Sequence, residues 1–392
     1  MPTVAVRDVA VQEREGDLVA ATFGRGFYVL DDLAPLRAAS EETLEKEGLL
    51  FPVRKAWMFI PQEPLGLKGK SFLGESLYSA PNPPFGAVFT YWLKEEPKTK
   101  RKARQEAEKK VAEKGGDVFY PSWDSLRAEE REEAPQVVLT VRDAEGRAVR
   151  RVVGPAKAGF NRASWDLRYP PSDPATLKPH DDENPFDGPP EGPLAMPGKY
   201  TVTLEKKIDG VVTPLGEPQP FTAEILGAAS LPEPDRRELL AFQQKTARLQ
   251  RALLGAVELT KETEKRLDLL EKAIVDTPGA DAALLGRTRE LRLKLKEVTT
   301  ALTGDKVVAK LQEPVSPSVV ARVESVVSGH WSTTGAPTAT HRRSYEVAAA
   351  EFAPLLEKLR ALVGVDLKDL ESRAEALGAP WTPGRVPAWK PE

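Results

Sequence analysis

Asp17-Leu-Val-Ala-Ala-Thr-Phe-Gly-Arg-Gly-Phe-Tyr-Val-Leu-Asp-Asp32 is the stretch on which the reading of this chain turns. Residues 18–22 read as a short buried strand. Phe23-Gly24-Arg25-Gly26 is a tight turn in which either glycine can take φ > 0. Residues 27–30 read as the next strand, stopped by Asp31-Asp32. Two strands cannot bury both of their faces, and an isolated hairpin is at best marginal in water. The pattern therefore predicts the last piece of a larger β-structure lying upstream of Met1.

Working outward, Ser40-Glu-Glu-Thr-Leu-Glu-Lys-Glu-Gly48 has a serine N-cap, an acidic first turn and a terminal glycine, which predicts a short helix and linker over 34–49. Residues 51–60 open a new domain as a strand. Further strands are predicted at 86–94, 136–142, 147–153, 159–168, 198–207, 211–215 and 219–225, with hairpin turns at Asp143-Ala-Glu-Gly146 and Asp209-Gly210. Short strands joined by turn signals predict an antiparallel β-sandwich of immunoglobulin-like or fibronectin-like type. Phe160 and Trp165 fall on opposite faces of their strand, one in the core and the other under an insertion. Two insertions interrupt the sandwich. Residues 95–134 are charge-dense and helical over 98–114 and 122–133, and residues 169–196 are rich in proline and acid.

After Gly227 the apolar period changes from 2 to about 3.6. Leu239, Phe242, Thr246, Leu249, Leu253, Ala256, Thr260, Thr263, Leu267, Leu270 and Ile274 step by three and four without a break. Such a seam lets one long helix lie along another. Leu284, Thr288, Leu291, Leu295, Val298 and Leu302 repeat the spacing in a return helix, and further helices are predicted over 316–328 and 344–363. Amphipathic helices with short loops predict an antiparallel, up-and-down bundle followed by an irregular Pro/Trp-rich tail over 378–392.

Val6-Arg-Asp-Val-Ala10 followed by residues 17–37, then Asn82-Pro-Pro-Phe-Gly-Ala87, then Gly159-Phe-Asn-Arg-Ala-Ser-Trp-Asp-Leu-Arg168, resemble the C-terminal region of bacterial sortilin-like (VPS10-like) BNR-repeat β-propeller proteins. That family is often labelled glycosyl hydrolase. The resemblance covers most of residues 1–230 and more loosely the helical tail. It implies a multidomain β plus α chain: terminal propeller strands and exit linker at 1–46, the sandwich at 47–228, and the helical bundle at 229–392. The family's repeats carry Asp-box turns of the form Ser-x-Asp-x-Gly-x-Thr-Trp, which this sequence lacks. The blades and their ligand face are therefore expected upstream, in the same polypeptide or in a partner chain. The resemblance further implies a periplasmic or extracellular location and a non-catalytic accessory role with protein or glycan contacts. The alternative it allows is part of a sialidase-like glycoside hydrolase whose catalytic blades lie upstream.

Composition narrows the chemistry. A formal net charge of −3 with no face-wide basic excess argues against nucleic acid. The basic run over 98–110 is interleaved with glutamates and reads as a solvated helix face. No apolar run reaches the roughly 18 residues of a membrane span. Zero cysteines exclude disulfides, thiolate catalysis and cysteine zinc sites.

No catalytic constellation is expected. Ser164, Asp166 and His180 supply the residue types of a triad without a nucleophile elbow. Arg25 between two glycines is a candidate for local pairing or anion binding, and Asp31 and Asp32 for turn capping or acid–base work. Trp92 and Trp123 are candidate carbohydrate-stacking rings. His180-Asp-Asp-Glu-Asn-Pro-Phe-Asp-Gly188 is the most metal-like cluster. Its Asp181, Asp182, Glu183 and Asp187 offer oxygens suited to calcium, though not at EF-hand spacing, and a solvated acidic loop is the favoured reading. No other cofactor is expected. His330 and His341 would hold a metal only with a third ligand from elsewhere, and they read as structural.

Overall fold

A computed structural model describes residues 3–61, 80, 82–178, 188–227, 233–331 and 333–391. The chain is mixed α and β and divides into two units, Met1–Pro170 with Ala195–Ala229 and Pro171–Leu194 with Ser230–Glu392.

In the first unit β1 (Val6–Gln12), β2 (Asp17–Thr22) and β3 (Phe27–Leu30) form an antiparallel three-stranded sheet. The hairpin expected from the sequence gains β1 as a third strand, paired with β2 from Val6↔Thr22 to Gln12↔Asp17. Both turn glycines take left-handed backbone, Gly24 at φ 73° and Gly26 at φ 78°. Thr22 closes the turn, its N–H and hydroxyl both donating to the Gly26 carbonyl at 3.1 and 2.8 Å. β2 is half-buried along its length rather than buried. Two short helices lead out, α1 (Ala34–Ala38) and α2 (Glu41–Leu44). Ser40 caps α2 in a reciprocal box with Thr43, where the hydroxyl of each accepts the other's N–H.

Two further sheets share one core. One contains, in order, β5 (Ala56–Met58), β12 (Gln219–Ile225), β10 (Gly198–Ile208), β7 (Gln136–Asp143) and β8 (Ala148–Gly154), with β11 (Val211–Pro214) also on β10. The other is β4 (Gly48–Leu50), β6 (Ala87–Leu93) and β9 (Gly159–Trp165). Tyr200, Val202 and Leu204 alternate inward along β10 to meet Phe89, Tyr91 and Trp165 of the facing sheet. Burying each of these side chains contributes on the order of 2 kcal/mol. Asp209 (φ 48°) and Gly210 (φ 78°) make the two-residue turn between β10 and β11.

The single strand expected over 51–60 is only three residues long, β5, and lies in a different sheet from β4 just before it. Phe51 still donates to the Thr90 carbonyl, but Pro52 has no N–H to extend the ladder. The chain then crosses over, and β5 lies parallel to β12, a departure from the all-antiparallel expectation. The first insertion forms α3 (Lys100–Glu113) and α4 (Trp123–Glu130), neither of which buries a residue. They are joined by the Arg104 guanidinium, which forks onto the Glu129 carboxylate at 2.6 and 2.9 Å. Those hydrogen bonds hold the Glu129 carboxyl below its ordinary range.

The helices of the second unit are α5 (Glu233–Val275), α6 (Ala282–Thr303), α7 (Lys306–Lys310), α8 (Val319–Trp331), α9 (Ala339–Ala361) and α10 (Leu367–Ala376). α5 is 43 residues long, on the order of 65 Å. Ten of the eleven seam positions named above are buried, and Leu249 is partly so. Its threonines fit because their hydroxyls bond back to their own helix, Thr246 to the Phe242 carbonyl at 2.9 Å and Thr263 to that of Leu259 at 2.7 Å.

The last long helix does not end near residue 363. A π-helical turn, Leu362–Asp366, carries it into α10. Beyond it the tail is irregular but anchored. Arg385, its side chain 2% exposed, pairs with Glu375 at 3.3 Å and donates to the Ala379 and Pro380 carbonyls.

Candidate interaction surface

The β1–β3 register decides what the first sheet presents. Val9, Ala20 and Tyr28 lie in one cross-strand row and Val11, Leu18 and Leu30 in another on the same face. Ala10, Val19 and Val29 form a row on the opposite face, as do Asp8, Ala21 and Phe27. An antiparallel sheet with one wet side alternates apolar and polar residues. Here the rows on both faces are mainly apolar, the second face carrying Asp8 and, at its far end, Gln12 and Asp17, and both are open: Val9 is 53% exposed on one, Phe27 77% and Val29 56% on the other. At the tip Arg25 is exposed between its glycines, while the Arg7 guanidinium lies 4.8 Å from the centre of the Phe23 ring.

The other end of this sheet is tied down. Asp17 Oδ1 accepts from the Asp32 N–H at 2.9 Å and from Arg54 Nη1 at 3.3 Å. Asp32 takes φ 60°, and its own Oδ1 accepts the Ala34 N–H at 3.0 Å. Arg162 Nη2 on β9 donates to the Asp31 carbonyl at 2.5 Å. Asp32 is buried and engaged in turn closure, and Asp31 contributes its backbone. Asp17, Arg54 and Arg162 do this anchoring; Asp17 and Arg162 lie within the stretches quoted for the resemblance, but nothing in the sequence gives any of the three this role. Their only local signal is the position of Asp17 at the start of a strand.

The two candidate tryptophans sit differently. Trp92 is half-buried, donates its indole N–H to the Leu44 carbonyl at 3.0 Å, and meets Phe160 edge-on at 5.3 Å. Phe160 stacks on Phe51 at 5.5 Å, so these rings cover part of it, and it is 44% exposed. Trp123 is 69% exposed, beside Phe119 at 83% and Tyr120 at 77%. The Tyr120 and Trp123 rings stand 6.0 Å apart at 64°. The two residues before Trp123's helix that complete this patch escaped the sequence reading because no periodicity links them to a face.

Ser164 lies on β9 and Asp166 just beyond it, where its carboxylate accepts the Arg168 N–H at 3.1 Å. His180, Asp181, Asp182, Glu183 and Asp187 lie outside the described residues, and with them the calcium reading. Among the described residues there is no group of three or more metal-ligating side chains and no helix long and apolar enough to cross a membrane. His330 and His341 do come together, Nε2 to Nδ1 at 2.6 Å.

No protein-family profile and no curated protein matches the chain. Among solved structures, a chain described as "pT26-6p" is 9% identical over 74% of this chain and 45% of its own length, with a TM-score of 0.14. This chain thus spans less than half of that one, and so low a TM-score carries no argument.

Proposed function

We propose that this chain is the non-catalytic C-terminal accessory and interaction region of a sortilin-like BNR-repeat propeller protein, working in the periplasm or outside the cell. In this reading residues 1–46 are terminal propeller strands and exit linker, 47–228 an immunoglobulin- or fibronectin-like sandwich, and 229–392 a helical bundle. The observation that carries it is the β1–β3 sheet, mainly apolar and open on both faces. Propeller blades stack face to face around a channel, so an inner blade hides both of its faces and is apolar on both. A sheet of that composition standing alone is a binding surface. Any glycoside hydrolysis by the whole protein then belongs to upstream blades, because the Asp32 carboxylate is already held in a turn.

The test is the coding DNA read in frame upstream of Met1. Continuation into blades bearing Ser-x-Asp-x-Gly-x-Thr-Trp turns is the expected result. A stop codon and ribosome-binding site directly before Met1, with residues 1–392 behaving as a monomer that binds no propeller chain, overturns the proposal.

A second reading rests on the exposed Tyr120–Trp123 pair, which offers ring faces of the kind that stack on sugars. It predicts tryptophan quenching by oligosaccharides that disappears in Trp123→Ala. A flat titration across a broad glycan set removes it.

A further inference from the structure

The second unit holds a side-chain cluster that the accessory role does not use. His330, in the last turn of α8, is 1% exposed. Its Nε2 lies 2.6 Å from Nδ1 of His341, in the first turn of α9, so the two imidazoles bridge the ends of a helical hairpin. Gly329 makes this approach feasible: a Cβ there would sit 2.7 Å from His341 Nε2. The His330 carbonyl accepts from Gln243 of α5 at 2.8 Å, and Phe242 of α5 packs 5.4 Å from the His330 ring.

Hydrogen-bond satisfaction assigns the tautomers. Nδ1 of His330 is buried and finds no partner among the described residues. A proton there would be an unsatisfied buried donor, whereas a bare lone pair costs less. The His330 proton therefore sits on Nε2 and is donated to His341 Nδ1, which must be unprotonated to accept it. A second proton has two places to go. On His341 Nδ1 it faces the Nε2–H of His330 head-on, and on His330 Nδ1 it is buried with no acceptor.

We propose that the His330–His341 hydrogen bond is an acid-sensitive latch, holding the α8–α9 turn against α5 at neutral pH and releasing it on mild acidification. The surroundings give an added charge little help. Around the Phe242 ring that packs on His330 stand Arg342 and Tyr345 of α9, at 5.6 and 5.9 Å, and these two are in turn met by Glu238, Lys245 and Arg248 of α5. Glu238 is already paired with Arg342 at 2.6 Å, and Lys245 lies over the Tyr345 ring at 4.4 Å. Glu191, from the 171–194 segment, approaches α8 through its carbonyl, which accepts the Trp331 indole N–H at 3.0 Å. His341 sits at the positive end of the α9 dipole, which opposes an added charge, while His330 in the last turn of α8 lies at a negative end, so the two dipoles largely offset. Burial first, then His341 and Arg342, push the His330 pKa down to about 4. The latch is independent of the accessory-region reading, since both of its histidines lie in the helical unit.

The test is hydrogen exchange of peptides spanning 326–345 in the full chain, corrected for intrinsic rates, at pH 7.5 and pH 5. The wild type is expected to lose about tenfold or more of its protection at pH 5, while peptides from the middle of α6 stay constant. His330→Gln keeps a donor for His341 but does not titrate, and is expected to abolish the step. Gly329→Ala, which crowds the ring without removing either histidine, is expected to lower protection already at pH 7.5. Unchanged wild-type protection between the two pH values overturns the proposal, as does an equal step in His330→Gln. Zinc added alone at pH 7.5 distinguishes a metal site: a gain in protection that His341→Gln removes would overturn the latch.

Discussion

At the residue scale, one carboxylate shows how a candidate site is decided by its hydrogen bonds. Asp32 combines a left-handed backbone with a side chain that accepts the Ala34 N–H. Asp32→Ala keeps the strained φ and loses the acceptor, so it should loosen the sheet's anchor by about 1–2 kcal/mol. Faster exchange over 27–34 would register this, with no change in an aryl-glycoside assay, and Asp32→Asn should restore most of the protection. His330 gives the pH prediction. Its pKa is lowered in the fold, so between about 4 and the ordinary imidazole value of 6.5 the unfolded chain binds the proton that the fold refuses. The stability that His330 contributes is complete above pH 6.5 and is lost as pH falls toward 4. Thermal melts followed at the helical signal should show this slope in the wild type and a shallower one in His330→Phe. Neither behaviour is legible in sequence: an Asp-Asp pair and two histidines eleven residues apart carry no record of which N–H groups they meet.

At the scale of elements, the helices were the most legible part. Seam residues recur every three or four positions, and a buried stripe demands that spacing, so the pattern and the burial have one cause. Leu267, 0% exposed, should cost about 2–5 kcal/mol as Leu267→Ala. Thr263→Val should stay within about 1 kcal/mol, because the hydroxyl it removes only shares a carbonyl within its own helix. Urea melts of the two variants check the contrast. The π-helical turn was not legible, because Val363-Gly-Val-Asp366 reads as a helix end. Tertiary packing overrides it. Leu359 before the turn, Leu362 at its first position and Leu367, Leu370 and Ala374 after it all enter the same core, and the wider turn re-phases the helix so that they can. Gly86 is a third case. Its φ is 99°, and a Cβ there would lie 2.0 Å from the Trp165 carbonyl oxygen. Gly86→Ala should therefore destabilise the sandwich by about 2 kcal/mol or more, read as a lowered melting temperature with a native-like helical signal.

At the scale of the whole molecule, the first sheet is the part that asks for something else to cover it. Replacing Phe27 and Val29 together by serine should reduce binding of an apolar dye and retention on a hydrophobic column. It should leave the melting of the sandwich and helices unchanged, because these side chains are already largely exposed. A fall in melting temperature would mean that the sheet's faces are packed against the rest of the chain. By itself the sequence determined the succession of β-rich and helical regions, the turn at Gly24 and Gly26, the buried seam and the absence of thiol chemistry. Each of these depends on periodicity, backbone freedom or composition, which are local properties of a chain. Only the tertiary structure decided that Val6–Gln12 joins the first sheet, that the chain passes from one sheet to the other between Leu50 and Ala56, that Arg54 and Arg162 anchor the Asp17–Asp32 corner, and that His330 meets His341. Those outcomes depend on which distant groups compete for the same N–H, the same face or the same cavity, and that competition is settled only when the chain is folded.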